Sequence, residues 1–127
     1  FDWDAMNVIT PEYNGSYSLG FKNMIDYYGL KVFEKKAIGI SAVSVGALGG
    51  IRAALQLQQL VLAIYASPVP QMLLIPQVQT RFAEAGELLD ASFANNIDRF
   101  LQDFIWYAEA LFGKRKSEQS ASSIKLN

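Results

Sequence analysis

The sequence predicts an α/β fold, a parallel sheet with helices packed on its faces. Three observations carry that expectation. Short apolar runs alternate with segments of helical period, the order that builds parallel sheets through crossover helices. The run Ala37–Ser44 (AIGISAVS) is small and apolar throughout, as a strand covered on both faces must be. Finally, 127 residues that are 51% hydrophobic and 18% charged can bury a core of their own.

Ala5–Thr10 (AMNVIT) reads as the first strand, ended by Pro11. Residues 11–20 (PEYNGSYSLG) are dense in turn formers and make a loop. Phe21, Met24, Ile25 and Tyr28 then fall at helical spacing. After the strand at 37–44 comes a glycine loop, Gly46–Gly50, and a long helix over Ile51–Ala66. Met72–Val78 reads as a third buried strand that Pro76 cuts short or holds at an edge. A loop covers 79–87, and Asp90 is the expected N-cap of a last helix to about Phe112, with Phe93, Ile97, Phe100, Leu101, Phe104 and Ala108 on one stripe. From Lys114 the composition turns to Lys, Ser, Gln and Asn. Residues 1–113 are therefore expected to form the domain and 114–127 a polar, disordered tail.

Composition excludes several chemistries. With no Cys and no His there is no thiol nucleophile, disulfide, Ser-His-Asp arrangement or common zinc set, and no metal site is expected. A net charge of −1 with scattered Lys and Arg gives no basic face for nucleic acid. The most apolar stretch, Leu60–Ala66, is far short of the ~20 residues a membrane span needs. A bound cofactor carrying its own chemistry is the economical reading of an enzyme with this composition.

Ligands of open parallel sheets bind beyond the carboxyl ends of the strands, where the loops Thr10–Ser16 and Ser44–Gly50 lie. Glycines at 46, 49 and 50 let backbone N–H groups come close to a ligand. The G-x-x-G-G spacing is not the dinucleotide fingerprint, and no acid occurs between Arg52 and Glu84 to grip a ribose. On spacing alone, tight strand-to-helix packing explains these glycines as well as a ligand does. Asn14-Gly15-Ser16 matches a glycosylation sequon but reads as turn chemistry.

Taken together, Thr10-Pro11-Glu12-Tyr13-Asn14, Phe21-Lys22-Asn23-Met24-Ile25-Asp26 and Ser44-Val45-Gly46-Ala47-Leu48-Gly49-Gly50-Ile51-Arg52 resemble the NADPH-dependent FMN reductase family over about residues 3–112. The family shows a TPEYN loop, an LKN-x-x-D helix and an S-x-G-x-x-G-G-x-R loop in this order. Here Phe21 stands for the usual Leu.

The resemblance implies a flavodoxin-like sheet that lacks the family's first two strands and helices, and with them its flavin-phosphate loop. It implies bound FMN with NAD(P)H as reductant, and a hydride passing from nicotinamide to flavin N5 and on to a small-molecule electron acceptor. The implied cofactor-binding residues are Pro11, Glu12, Tyr13, Asn14, Val43, Ser44, Val45, Gly46, Gly49 and Gly50. No catalytic acid or base is required. Arg52 is assigned to a subunit contact, and Lys22, Asn23 and Asp26 to holding the first helix to its loop. A homodimer or tetramer in the cytoplasm, with neither nucleic acid nor membrane as partner, completes the expectation. The alternative is a flavodoxin-like binding or scaffolding module without flavin. A phospho-acceptor receiver domain fits poorly, since Pro11-Glu12 stands where its Asp belongs.

One further expectation comes from the helix over 51–66. At ~100° per residue, Leu57, Leu60, Val61 and Ile64 share an arc for the sheet, and Arg52, Gln56 and Gln59 form a polar strip. Leu55, Leu62 and Tyr65 are left over as an apolar arc suited to a second copy.

Overall fold

The computed structural model describes residues 3–125. Phe1, Asp2, Leu126 and Asn127, which the domain and tail expectations include, lie outside the described residues. The elements are β1 (Ala5–Pro11), α1 (Leu19–Tyr28), β2 (Ala37–Val43), α2 (Ile51–Ala63), β3 (Ser67–Pro68), β4 (Leu73–Ile75), α3 (Val78–Arg81) and α4 (Ala94–Lys125). Short 3₁₀ turns at Leu30–Val32 and Ala91–Phe93 complete the order.

All strand pairs are parallel. β1 runs beside β2 in register from Ala5 opposite Ala37 to Pro11 opposite Val43. The other edge of β2 is shared. β3 pairs with its start at Ala37 and Ile38, and β4 with its end at Ser41–Val43, so the two act as one interrupted third strand. The predicted strand over 72–78 thus shrinks to Leu73–Ile75. Pro76 ends it, as a residue without an N–H must. β3 was not foreseen, because two residues containing Pro68 carry no strand pattern.

β2 is buried along its length, and its two faces serve different helices. Ile38, Ile40 and Ala42 enter one core with Val8, Ile25, Leu57 and Val61, which places α1 and α2 together on that face. On the other face, a Cβ on Gly39 would lie 2.9 Å from Phe104 and 3.0 Å from Phe100 of α4. Phe93 and Phe100 are buried as the predicted stripe requires, whereas Leu101 is exposed. Among the described residues β1 pairs with β2 alone, and Ile9 on its α4-side face is 65% exposed. An open, partly apolar strand edge of this kind is a surface suited to pairing with a further strand.

Two helix ends differ from expectation for local reasons. α1 stops where Gly29, at φ 72°, turns its N–H back onto the Ile25 carbonyl, the usual glycine exit. α2 stops three residues earlier than predicted, with the same device on a non-glycine residue. Tyr65 sits at φ 59°, its N–H bonds the Leu62 carbonyl, and the Ala66 N–H reaches back to Val61. This is a Schellman cap with Tyr in the left-handed position, a place sequence assigns to Gly or Asn. Leu57, Val61 and Ile64 are buried and Leu60 packs on the core, while Leu55, Leu62 and Tyr65 are exposed, as the helical wheel predicts.

The largest departure is at the carboxyl end. The residues expected to be a disordered tail continue α4, which runs 32 residues to Lys125. Arg115 ties this extension to the body, donating to the carbonyls of Lys35 at 2.8 Å and Asp4 at 3.0 Å. Glu118 faces Lys114 at 3.6 Å and Lys35 at 3.7 Å. Ser120, Ser122 and Ser123 return their hydroxyls to carbonyls four residues back, so a polar composition is satisfied within the helix. At the other end Asp90 caps as expected, although it opens the 3₁₀ turn that leads into α4. The Ser92 hydroxyl and amide, with the Arg81 guanidinium, hold the Asp90 carboxyl below its ordinary pKa. Its contribution is therefore present above the ordinary carboxylate range and is lost as pH falls through the lowered value.

Gly39→Ala is expected to destabilise the fold by about 1–3 kcal/mol, because its methyl meets two packed phenyl rings rather than a flexible chain end. Urea unfolding followed by circular dichroism measures it. A midpoint equal to wild type would show that α4 does not press on β2 here.

Candidate functional site

The parallel register brings the carboxyl ends of β1 and β2 side by side, and the two predicted loops leave from there. They are joined at once: the Glu12 N–H donates to the Val43 carbonyl at 3.0 Å. The first loop then closes on itself. Tyr13 and Ser16 exchange both main-chain bonds, at 2.9 and 3.0 Å, around Asn14 at φ 50° and Gly15 at φ 77°. Two positive φ values in a two-residue hairpin are a type I′ turn, the Asn-Gly preference expected from the sequence. The buried Thr10 hydroxyl accepts the Ser18 N–H at 3.1 Å, pinning the far end of the loop.

Helix α2 supports this loop from beneath through its polar strip. Arg52 reaches the Glu12 carboxylate through Nε at 3.0 Å and Nη2 at 2.7 Å. Gln56, one turn on, donates to the Gly15 carbonyl at 2.9 Å and accepts from the Ser16 hydroxyl at 2.6 Å. Arg52 is thus engaged within the chain while its side chain stays 68% exposed. Lys22 and Asp26 pair with each other at 2.6 Å on the surface of α1, so they brace that helix rather than its loop. That pairing raises the Lys22 pKa, chiefly through the hydrogen bond to Asp26.

The glycine loop is built differently. Gly49 and Gly50 are buried at φ 64° and 79°. A Cβ on Gly49 would stand 3.0 Å from the Leu74 Cβ, and one on Gly50 would stand 2.8 Å from the Ala42 Cβ. These two glycines shape the turn into α2 and stand beneath the surface. Gly46 is the opposite case, with nothing within 4 Å of an added Cβ. Around it the surface is apolar: Tyr13, Val45 and Leu48 are 62%, 74% and 71% exposed.

Three successive carbonyls of this loop, those of Ser44, Val45 and Gly46, are taken by the segment after β4. Ser44 O accepts from Val78 N at 3.1 Å, and Gly46 O from Gln77 N at 3.0 Å. Val45 O accepts from the Gln79 side chain at 3.2 Å. The N–H groups of Val45, Gly46 and Ala47 donate to no acceptor among the described residues. Backbone donors left open at a surface are what a ligand with electron-rich atoms needs.

Of the predicted cofactor residues, Tyr13, Asn14, Val45 and Gly46 are exposed at this end of the sheet. Pro11, Glu12, Val43 and Ser44 form the seam behind them, with the Glu12 N–H already spent on Val43. Gln56 and Gln79 also build the site, yet sequence reasoning gave them no part in it. For Gln56 a signal existed, its place one turn after Arg52 on the polar strip. Two cavities lie at the amino end of the strands, away from these loops. One of about 930 Å³ lies between Lys31 and Ser122, and an apolar one of about 320 Å³ between Met6 and Met24.

Comparison with known proteins agrees with this geometry. The family model described as NADPH-dependent FMN reductase matches residues 2–80, which hold both loops and all of α1 and α2. The chain belongs to the NADPH-dependent FMN reductase family. It is 30% identical over 84 residues to an NADPH azoreductase of Bacillus sp., covering 66% of this chain and 47% of that protein. It is 27% identical over 114 residues to the NADH:(hydroxy)cinnamate reductase subunit CrdA of Vibrio ruber, covering 85% of this chain and 56% of the relative. The flavoenzyme FerB, an NAD(P)H:(acceptor) oxidoreductase from Paracoccus denitrificans, superposes with a TM-score of 0.72 at 29% identity, over 84% of this chain and 62% of its own. The chain spans about half the length of the curated relatives it matches. Its fold is the flavodoxin-like one of this FMN reductase family. Among the described residues no helix is long and apolar enough to cross a membrane, and no cluster of His, Cys, Asp or Glu could hold a metal ion.

The glycines of this FMN reductase family member should separate cleanly in a stability measurement. Gly50→Ala is expected to cost about 1–3 kcal/mol, from its left-handed backbone and the close Ala42 methyl, whereas Gly46→Ala should stay within about 0.5 kcal/mol. Urea midpoints of the two variants check this.

Proposed function

We propose that this chain forms the ring-binding side of an FMN site in an NAD(P)H-dependent oxidoreductase that reduces a small-molecule acceptor. The observation that carries the reading is the open row of N–H groups at Val45, Gly46 and Ala47 beside the exposed Tyr13 ring. Flavin, when bound, supplies the ability to take a hydride equivalent from a nicotinamide and deliver electrons to an acceptor. The residues fit such a group. A flat aromatic ring with a polar rim suits a surface made of Tyr13, Val45 and Leu48 with backbone donors at its edge. Gly46 carries no side chain and has free space above it, so main chain can approach closely.

The roles of these residues follow from their chemistry. The N–H donors stabilise electron density that accumulates on the ligand during reduction. Tyr13 and Leu48 exclude water from one face of the site. Glu12, Arg52 and Gln56 hold the Tyr13 turn at a fixed height over α2. None of these steps asks a side chain to give or take a proton. Similarity to proteins named azoreductase, (hydroxy)cinnamate reductase and NAD(P)H:(acceptor) oxidoreductase supports an acceptor of conjugated, easily reduced type. An enzyme using NAD(P)H works where that reductant is regenerated, which supports a cytoplasmic setting.

FMN binding by the chain joined to an amino-terminal segment from a family member, read by quenching of flavin fluorescence, tests the reading. Gly46→Val should leave the circular dichroism spectrum intact and weaken FMN binding at least tenfold, because a β-branched side chain fills the space above the loop. Wild-type occupancy in that variant would move the site elsewhere. A folded wild type that takes up no FMN even when joined to that segment would favour a flavin-free binding module.

The exposed arc of Leu55, Leu62 and Tyr65 supports a homodimer through α2. Leu62→Glu is expected to give a folded monomer by light scattering. An unchanged oligomer would rule this face out.

A further inference from the structure

We infer that Gln79 is a positioning residue for the cofactor: it orients the Gly46 N–H toward the flavin by holding the Val45 carbonyl. The inference rests on the proposed flavin site and assigns a role to a loop that the family motifs do not include.

A trans peptide points its C=O and N–H in opposite directions. Whatever grips the carbonyl of one residue therefore aims the N–H of the next. Three successive peptides of the glycine loop are gripped in this way from one side. Val78 N on Ser44 O aims the Val45 N–H, the Gln79 side chain on Val45 O aims the Gly46 N–H, and Gln77 N on Gly46 O aims the Ala47 N–H. All three amides are turned away from the loop after β4. Two of the grips are main chain to main chain. The middle one depends on a side chain, and it controls the peptide preceding a glycine. Glycine tolerates both signs of φ, so this peptide can rotate most cheaply once released.

The gripping loop is itself anchored. Gln77 is in the left-handed region at φ 48°, and the Thr80 hydroxyl bonds its carbonyl at 2.9 Å. Arg81 donates to the Pro76 carbonyl at 2.9 Å, pairs with Asp90 at 2.5 Å and lies 4.6 Å from the centre of the buried Phe93 ring. Through Arg81 the 3₁₀ turn that leads into α4 serves as the base of the clamp. Gln79 is exposed and makes this one side-chain bond, so replacing it removes the grip without opening the core.

Gln79→Met keeps the length of the side chain and removes the donor, while Gln79→Lys keeps a donor. In the flavin-free protein, the ¹⁵N order parameter of Gly46 is expected to fall from about 0.85 to below about 0.6 in the Met variant and to recover in the Lys variant. The FMN dissociation constant should rise about three- to tenfold in the Met variant, the effect of one net hydrogen bond, with the melting temperature within about 2 °C of wild type. An unchanged order parameter at Gly46 overturns the inference. So does a lowered order parameter with unchanged FMN affinity, or a fall in melting temperature above about 5 °C, which marks a merely structural residue. A wild type that binds no FMN even when joined to an amino-terminal segment from a family member refutes the proposed function instead, and the Gly46 order parameter still decides what Gln79 does.

Discussion

Every layer of this fold is arranged around β2. The strand is hydrogen-bonded along both edges and covered on both faces, so each of its residues has four directions already assigned. Bulk is possible where α2 offers a groove, as at Ile38 and Ile40, and impossible where α4 lies close, as at Gly39. Ser41, buried on the α4 side, is tolerated because its hydroxyl donates to the Asn7 side chain at 3.2 Å. From this strand the loop positions follow. Parallel pairing sets the ends of β1, β2 and β4 at one level, and their loops interlock there.

That interlocking turns a mechanical feature into a chemical one. Backbone groups that bind a ligand must be unsatisfied by the protein, yet an unsatisfied loop does not hold its shape. Here the two requirements are separated by polarity. The carbonyls of Ser44, Val45 and Gly46 are satisfied from below by residues 77–79, and the amides of Val45, Gly46 and Ala47 are left for the surface. The Tyr13 turn divides the work in the same manner, with its main chain closed on Ser16 and its ring exposed.

How much of this was legible in the sequence depended on whether a residue's role was local. The strands at 5–11 and 37–43 and the Asn14-Gly15 turn could be read because burial pattern and positive φ leave residue-type signatures. The α2 end could not, since Tyr65 occupies a left-handed position that its side chain disfavours. Contacts from elsewhere, including Lys35 N on the Tyr65 carbonyl at 2.8 Å, hold it there. The helical stretch after Lys114 was missed for a similar reason. Its composition is that of a solvated tail, and its ties are long-range, chiefly an Arg115 side chain reaching residues that stand 80 and 111 positions away. In the site, glycines and Tyr13 announced themselves, whereas Gln79 looks like any surface glutamine until the fold brings it to Val45.

Arg115 has a consequence for how the molecule comes apart. At ~1.5 Å per residue the 32 residues of α4 extend over ~48 Å, about twice the length of the 7-residue β2. Its first half is welded to the sheet by Phe100 and Phe104. Beyond Arg115, Gln119 and Ser122 face Lys31 and Glu34 across an open cleft instead of a core. The border between what unfolds with the domain and what opens on its own therefore falls inside an unbroken helix and not in a loop. Near Arg115 the helix acts as a cantilever: a force or a binding partner at its tip is felt at the carbonyls of Asp4 and Lys35, next to the first turns of β1 and β2.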